Sequence, residues 1–523
     1  MKKQNDKIII IGAGISGLTA GTYGRLAGYE VEIYEKNAIP GGECTGWDRK
    51  GYHIDNCIHW LIGTKDKSDL NDIWRKTDAV SSPESVHNFE FMYVSEYNDQ
   101  QITLWKDIDR TEQEMIDLSP EDEAEIRSLM DSCRRAKHIE IPAKLPEEQW
   151  GIVYATGMLG KSKGLFSLMT KYKGMNIEDL MARFNHPLIR CMLRDFCTKE
   201  SPAYTFPMAY GNFAGGDGGI PIGGSRAVAI RMAEKFKSLG GKLYLGKPVV
   251  KMNVEGDCVT SVLLDDGSEA TADWFVPACD TAFTFNTLLD PSYQDKTFRD
   301  FWSKPDDYHI YGTFQTAFAV DSAEDLLNGD INLDVSSLQT EDWMSDRIAV
   351  KTYSYEPDFA PPGKQIIQIL WGGTDKTYEY FKKLYEADKK AYENKKNEIA
   401  ERLLKRIEER WPEYAGKLSI LDVWTPVTYE RYCHAYRGYY QSCVVSKHVR
   451  KKPKPSPFVK ELKNVVLAGQ WLSPPGGVPS AAITGKFAID RIKRRWRFNR
   501  INVERIAISV AGILILVLFR LLA

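Results

Sequence analysis

One short stretch, KIIIIGAGISGLTAG from Lys7 to Gly21, limits what this chain can fold into more than any other part of it. Ile8 to Ile11 show no polar alternation, so both faces of the strand they form must be buried, as in the centre of a parallel sheet. Gly12-Ala13-Gly14-Ile15-Ser16-Gly17 follows without a spacer, and Leu18-Thr19-Ala20-Gly21 continues as a helix. In a strand–turn–helix unit of this spacing Gly12 makes the tight turn and Gly14 admits a pyrophosphate to the backbone. Gly17 lets helix and strand pack closely, and the helix N–H groups face the anion. A lone G-x-G-x-x-G is weak evidence. Here a second apolar strand, Val31 to Tyr34, ends in Glu35, at the spacing where a carboxylate accepts hydrogen bonds from a ribose 2′-OH. Ala13, Ser16 and Lys36 lie within or beside these two segments and join Gly12, Gly14, Gly17 and Glu35 as expected dinucleotide contacts.

The next residues bear on which dinucleotide. Gly41-Gly42 offers a second stretch of backbone for close approach to a cofactor, and no second strand–GxGxxG–helix unit follows. Gly215-Gly216-Asp217-Gly218-Gly219 lacks a preceding apolar strand, which argues against a two-dinucleotide reductase. No H-E-x-x-H, no G-x-S-x-G and no zinc-spaced Cys/His cluster gives metal hydrolysis or serine acylation a basis, so no metal is expected. Nine cysteines without a C-x-x-C pair fit a reducing compartment and a cytosolic, mature N-terminus.

Five segments in order resemble the phytoene desaturase (carotenoid dehydrogenase) and retinol saturase group of FAD-dependent oxidoreductases. They are KIIIIGAGISGLTAG, EKNAIPGGECTGWDRKGYHIDNCIHWL, GGIPIGGSRAVAIRMAEKFKSLGGKLYLGKPVVKM, TPVTYERY and NVVLAGQWLSPPGGVPSAAITGKFAID. The resemblance implies an α/β fold with non-covalent FAD in a discontinuous Rossmann-like domain (1–105, 221–285, 460–495). An interleaved α+β substrate domain would take 106–220 and 286–459, and a basic-apolar tail 496–523. It also implies that strand Val465 to Gly469 delivers a glycine-rich turn to the flavin end, with Gly476, Gly477 and Val478 closest to the ring and Gly469 among the cofactor contacts. Val249 and Val250 would read the adenine by backbone, or serve only as sheet core. His59, in the segment that runs under the flavin, is the first catalytic candidate, followed by Arg431 and Tyr432.

A chain of 523 residues with 43% apolar content can fill two packed cores, and a net charge of −2 with no basic face bearing a nucleic-acid motif before about the last 35 residues excludes nucleic acid as a partner. Ile506 to Phe519 is an uncharged, mostly apolar run behind Arg491, Lys493, Arg494, Arg495, Arg497, Arg500 and Arg505, a pattern that suits a C-terminal membrane helix or interfacial anchor on a cytoplasmic face. The expected activity is addition or removal of hydrogen at carbon–carbon bonds of a hydrophobic isoprenoid or other long-chain lipid, with oxygen, a quinone or a redox protein as electron acceptor. A flavin amine oxidase and a non-catalytic lipid escort are the rival readings.

Overall fold

The computed structural model describes residues 6–498 apart from 152–153, 155–156, 158–162, 328 and 339–343. Its first sheet is parallel, in the order Trp274–Pro277, Lys7–Ile11, Glu30–Tyr34, Lys242–Tyr244. The four isoleucines divide between its two faces, as the absence of alternation demands. Ile8 and Ile10 pack with Leu18, Phe236 and Ile489 beneath the helices Ile15–Leu26, Gly224–Ser238 and Val478–Phe498. Ile9 and Ile11 pack with Val249, Phe275, Phe285 and Leu467 on the other side. Val465 and Val466 extend the sheet beyond Phe275 through parallel backbone bonds, so the two ends of the chain meet in one sheet.

The second sheet has seven strands, in the order Leu418–Trp424, Tyr311–Val320, Gln365–Thr374, Met344–Thr352, Ile331–Asp334, Phe91–Tyr97, Gln100–Trp105. Alternation here is strict. Phe314, Phe318, Ile367, Ile369, Ile348 and Val350 face a helical layer formed by Asp375–Ala387 and Lys389–Arg410. The opposite face carries Gln315, Ala317, Gln368 and Lys351, which the register Gln315↔Leu370, Ala317↔Gln368 and Lys351↔Gln368 sets side by side. That polar face looks onto the hairpin Gly46–Arg49/Tyr52–Asp55, with Tyr52, Ile54, Ala317 and Ala319 in one cluster.

Two expectations meet particulars of the fold. Strands Phe91–Tyr97 and Gln100–Trp105, grouped by sequence with the 1–105 segment, join the seven-stranded sheet instead, through Ile331↔Val94 and Asn332↔Ser95. The short strand Ile331–Asp334 would otherwise leave an open edge, and pairing there satisfies its backbone. The apolar run 506–519, expected to be a membrane helix, lies outside the described residues, and among the described residues no helix is long and apolar enough to cross a membrane. Part of the basic belt is already engaged: Arg491 donates to Glu148 at 2.7 Å and Arg494 to the Glu148 carbonyl.

Candidate functional site

The turn at the end of strand Lys7–Ile11 shows why glycine is required. Gly12 has φ +100°, and a Cβ on Gly17 would stand 2.0 Å from the Gly12 carbonyl oxygen. Only a residue without a side chain lets the helix begin so close to the strand. Ser16 Oγ donates to the Ala278 carbonyl at 3.1 Å, which fixes the first helical turn to the neighbouring strand. Glu35 Oε2 accepts from the Ala13 N–H at 2.7 Å, while Oε1 accepts from the Asn37 backbone and side-chain amides, both at 2.9 Å. The carboxylate thus ties the loop to the next strand.

Gly41 and Gly42, at φ +122° and +60°, lie directly against this loop. The Gly41 N–H donates to the Ala13 carbonyl at 2.9 Å, and a Cβ on Gly42 would stand 3.4 Å from Gly14 Cα. A Cβ on Gly14, in contrast, would meet only the Gly41 carbonyl, at 3.8 Å. The protein leaves the front of Gly14 open between two bare stretches of backbone, which fits a pyrophosphate. At the far side, Val249 is buried in the core while Val250 is exposed and lies at a bulge in the Val249–Glu255 strand, between the register pairs Val249↔Leu264 and Lys251↔Leu263. A bulged residue has its backbone off the ladder, as backbone reading of a base requires.

The C-terminal loop arrives from the other end of the chain. The Gly469 N–H donates to Thr484 Oγ1 at 3.1 Å, and the Gly477 N–H donates to Gln470 Oε1 at 3.0 Å. Gln470 Nε2 in turn donates to Glu43 Oε2 at 3.3 Å, joining this loop to the residue after the Gly41-Gly42 pair. Gly476 and Gly477 have φ +90° and +91°, and a Cβ on Gly477 would meet nothing nearer than Pro479 at 3.9 Å, so the backbone leading to Val478 is also bare. Behind it, a Cβ on Gly485 would stand 2.2 Å from the Ser16 carbonyl, so helices Ile15–Leu26 and Val478–Phe498 cross with their backbones in contact. Burial pushes the Glu43 carboxyl well above the usual carboxylate range.

His59 stands on the other side of the site, and its position is inherited from Asp55. The Asp55 carboxylate accepts from the Ser225 N–H at 2.7 Å and Oγ at 2.9 Å, at the start of helix Gly224–Ser238, and Ser225 Oγ accepts from the Ile58 N–H at 2.8 Å. Burial raises the Asp55 carboxyl to about 7, against the lowering effect of those Ser225 bonds. From the seven-stranded sheet Gln368 brackets the Asp55 backbone, accepting its N–H at 2.9 Å and donating to its carbonyl at 2.7 Å. Lys351 Nζ lies 3.1 Å from His59 Nδ1 and 3.0 Å from Asp330. Burial first, and the Lys351 charge second, hold the His59 imidazole well below its ordinary pKa, so it is neutral. Tyr440 lies beside it, ring centroids 6.2 Å apart, and donates to the Cys57 carbonyl at 3.1 Å.

Arg431 and Tyr432 do not join His59. Their carbonyls accept from Lys36 Nζ at 2.9 Å and Asn37 Nδ2 at 3.0 Å, at the Glu35 end of the site, and the Tyr432 side chain is 57% exposed. The helix Pro426–Cys433 turns a different residue inward. Tyr429 is buried, receives the Gln315 amide at 2.7 Å and donates to Asn56 at 2.9 Å. Sequence reasoning missed Tyr429, Gln315, Gln368, Lys351 and Ser225. A signal existed for three of them: Gln315, Lys351 and Gln368 interrupt the apolar runs TFQTAFAV, IAVKTY and IIQILW, where a strand polar residue must have a buried partner.

A parallel dinucleotide sheet with two bare glycine loops hydrogen-bonded to each other, packed against a mixed sheet whose polar face closes the site, defines an FAD-dependent oxidoreductase. The chain belongs to the flavin containing amine oxidoreductase family, whose profile matches residues 15–493. Prolycopene isomerase 2, chloroplastic, of an Oncidium hybrid cultivar is 25% identical over 517 residues, 94% of this chain and 84% of that one. The 4,4′-diaponeurosporene oxygenase of Staphylococcus aureus is 22% identical over 520 residues, 94% of this chain and 99% of that one. An oxidoreductase from Methanosarcina mazei has the same fold, with TM-score 0.57 at 17% identity over 93% of this chain and all (100%) of its own. Putrescine oxidase bound to putrescine gives TM-score 0.56 at 15% identity, over 94% of this chain and 99% of its own.

Proposed function

We propose that this enzyme adds or removes hydrogen at a carbon–carbon bond of a carotenoid-like or other long-chain isoprenoid. FAD, when bound, supplies the hydride chemistry. The backbones of Gly12 to Gly17 with Gly41 and Gly42 would hold its pyrophosphate, Glu35 its ribose, and Gly476 to Val478 the flavin end. Gln368 and Ser225 fix the end of the strand Tyr52–Asp55 and the loop after it that carries His59, and the polar sheet face closes the site beneath it.

The observation that carries this reading over amine oxidation is Lys351. Its ammonium, beside the neutral His59, is paired with Asp330 at 3.0 Å, so that carboxylate is not free to hold a substrate ammonium, whereas an uncharged chain needs no such partner. Alignment along 94% of the chain with two proteins named for carotenoid chemistry supports the same choice. The bare glycine loops favour a working flavoprotein over a lipid escort.

The test is anaerobic incubation with long-chain polyenes in micelles, reading flavin bleaching with loss of one hydrogen pair from the product for the yellow holoenzyme, or flavin reoxidation with gain of one pair for the dithionite-reduced holoenzyme. Peroxide from primary amines with no change in any polyene would overturn the reading. In this reading the apolar run 506–519 also serves as a membrane arm. Deletion of residues 503–523 then slows turnover on polyene in vesicles more than on the same polyene in micelles, and equal slowing in both would refute the arm.

A further inference from the structure

The two nitrogens of His59 are treated differently. Nδ1 has Lys351 Nζ at 3.1 Å, whereas Nε2 is buried with no hydrogen-bond partner among the described residues. An ammonium donates and cannot accept, so the contact requires a lone pair on Nδ1 and leaves the single ring proton on Nε2. Lys351 is itself fixed from two directions. Strand Met344–Thr352 sets it opposite Gln368, on the face turned toward Asp55, and Asp330 holds its Nζ at 3.0 Å. Its side chain is 5% exposed, too enclosed for the ammonium to find water instead. The charged and titratable groups facing this cluster are Asp330, Asp55, Tyr353, Tyr355 and Tyr440, and Nε2 has no hydrogen bond to any of them. A buried donor left without an acceptor is costly, and such an orphan in a site points to an acceptor brought by what binds there.

We propose that Lys351, braced by Asp330, is a positioning residue that locks His59 in the Nε2–H tautomer, so that the ring presents one fixed hydrogen-bond donor to an acceptor atom on the molecule bound in the site. The proposal rests on the oxidoreductase reading above only for its kinetic arm. Its structural arm needs no substrate.

The experiment uses the full-length holoenzyme with histidines labelled with nitrogen-15, the His59 signals being assigned by their loss in His59→Gln. In the wild type, Nδ1 gives the unprotonated-nitrogen signal throughout the neutral range. In Lys351→Met the two tautomers mix, because the donor that claims the Nδ1 lone pair is gone, while burial still holds the ring neutral. The same variant lowers kcat on the order of 10²-fold with KM changed far less and FAD retained, and Lys351→Arg, which keeps a charged donor, restores most of it. Should Lys351→Met fail to retain FAD, Asp330→Asn loosens the same lysine without a cavity, and the same two readouts decide. An unchanged His59 spectrum in the variant that folds overturns the proposal, as does Lys351→Arg failing to rescue while holding FAD. A locked tautomer in an enzyme that converts no polyene leaves this proposal standing and removes the substrate reading alone.

Discussion

The two sheets deal with polar groups in opposite ways. In the parallel half, Gly12, Gly14, Gly41 and Gly42 bring bare main chain together, and the carboxylate beside them, Glu35, is held in place by Ala13 and Asn37. In the seven-stranded half, Gln315, Lys351 and Gln368 rise from one face of apolar strands, and some of the groups they approach are left short of partners, His59 Nε2 and Tyr353 Oη among them. Elsewhere in that half one buried charge is fully partnered. Arg347, nearly buried, holds Asp195 at 2.7 and 2.8 Å and also reaches Ser95 and the carbonyls of Glu96 and Asn332. In the proposed reading, cofactor binding is therefore a matter of shape set over a few residues, and the substrate side a matter of side-chain pairs set across hundreds.

The largest effect that tests this contrast lies in the glycines. Gly17→Ala drives a Cβ into the Gly12 carbonyl, so the variant loses FAD and about 3 kcal/mol or more of stability. Gly14→Ala meets only a carbonyl at 3.8 Å, and Gly14 has an ordinary φ of −69°, so the apoprotein keeps its stability within about 1 kcal/mol while flavin content falls. Flavin absorbance and denaturant midpoints of both variants separate the two outcomes. Equal FAD retention would break the backbone account.

Asp55 sharpens the comparison at the seam between the halves. Its carboxyl is raised to about 7 in the fold, against about 3.9 when unfolded. Between those values the folded state binds the extra proton, so the contribution to stability is full below the lower value and is lost as pH rises through about 7. From pH 5 to pH 8 the wild type should lose about 2 kcal/mol relative to Asp55→Asn, measured by urea midpoints at each pH. A difference independent of pH would show that the carboxyl is ionised throughout.

Tyr432→Ala is the smallest effect. The side chain is exposed and the residue touches the site through its carbonyl, so stability shifts by no more than about 0.5 kcal/mol and turnover stays within about twofold. A large loss of turnover with FAD intact would return Tyr432 to the catalytic set and erase the contrast with His59.

The nucleotide half was legible because its requirements are local. Four isoleucines without alternation can only be a strand buried on both faces, and the glycines at 12 and 17 answer steric demands of a single turn that any reader of the chain can reconstruct. His59 could be singled out only as an expectation, a residue type in a recognisable segment. What held it was not legible, because Lys351 lies 292 residues away and meets it through the register of a strand pair. The same distance explains the misplaced Arg431 and Tyr432: TPVTYERY specifies a helix, but which tyrosine turns inward depends on Gln315 and Asn56, contributed by other elements. Backbone sterics act between neighbours in sequence and so determine the cofactor loops from the sequence itself. The hydrogen-bond partners of a buried side chain are chosen only when the sheets close, and the tertiary structure alone decided them.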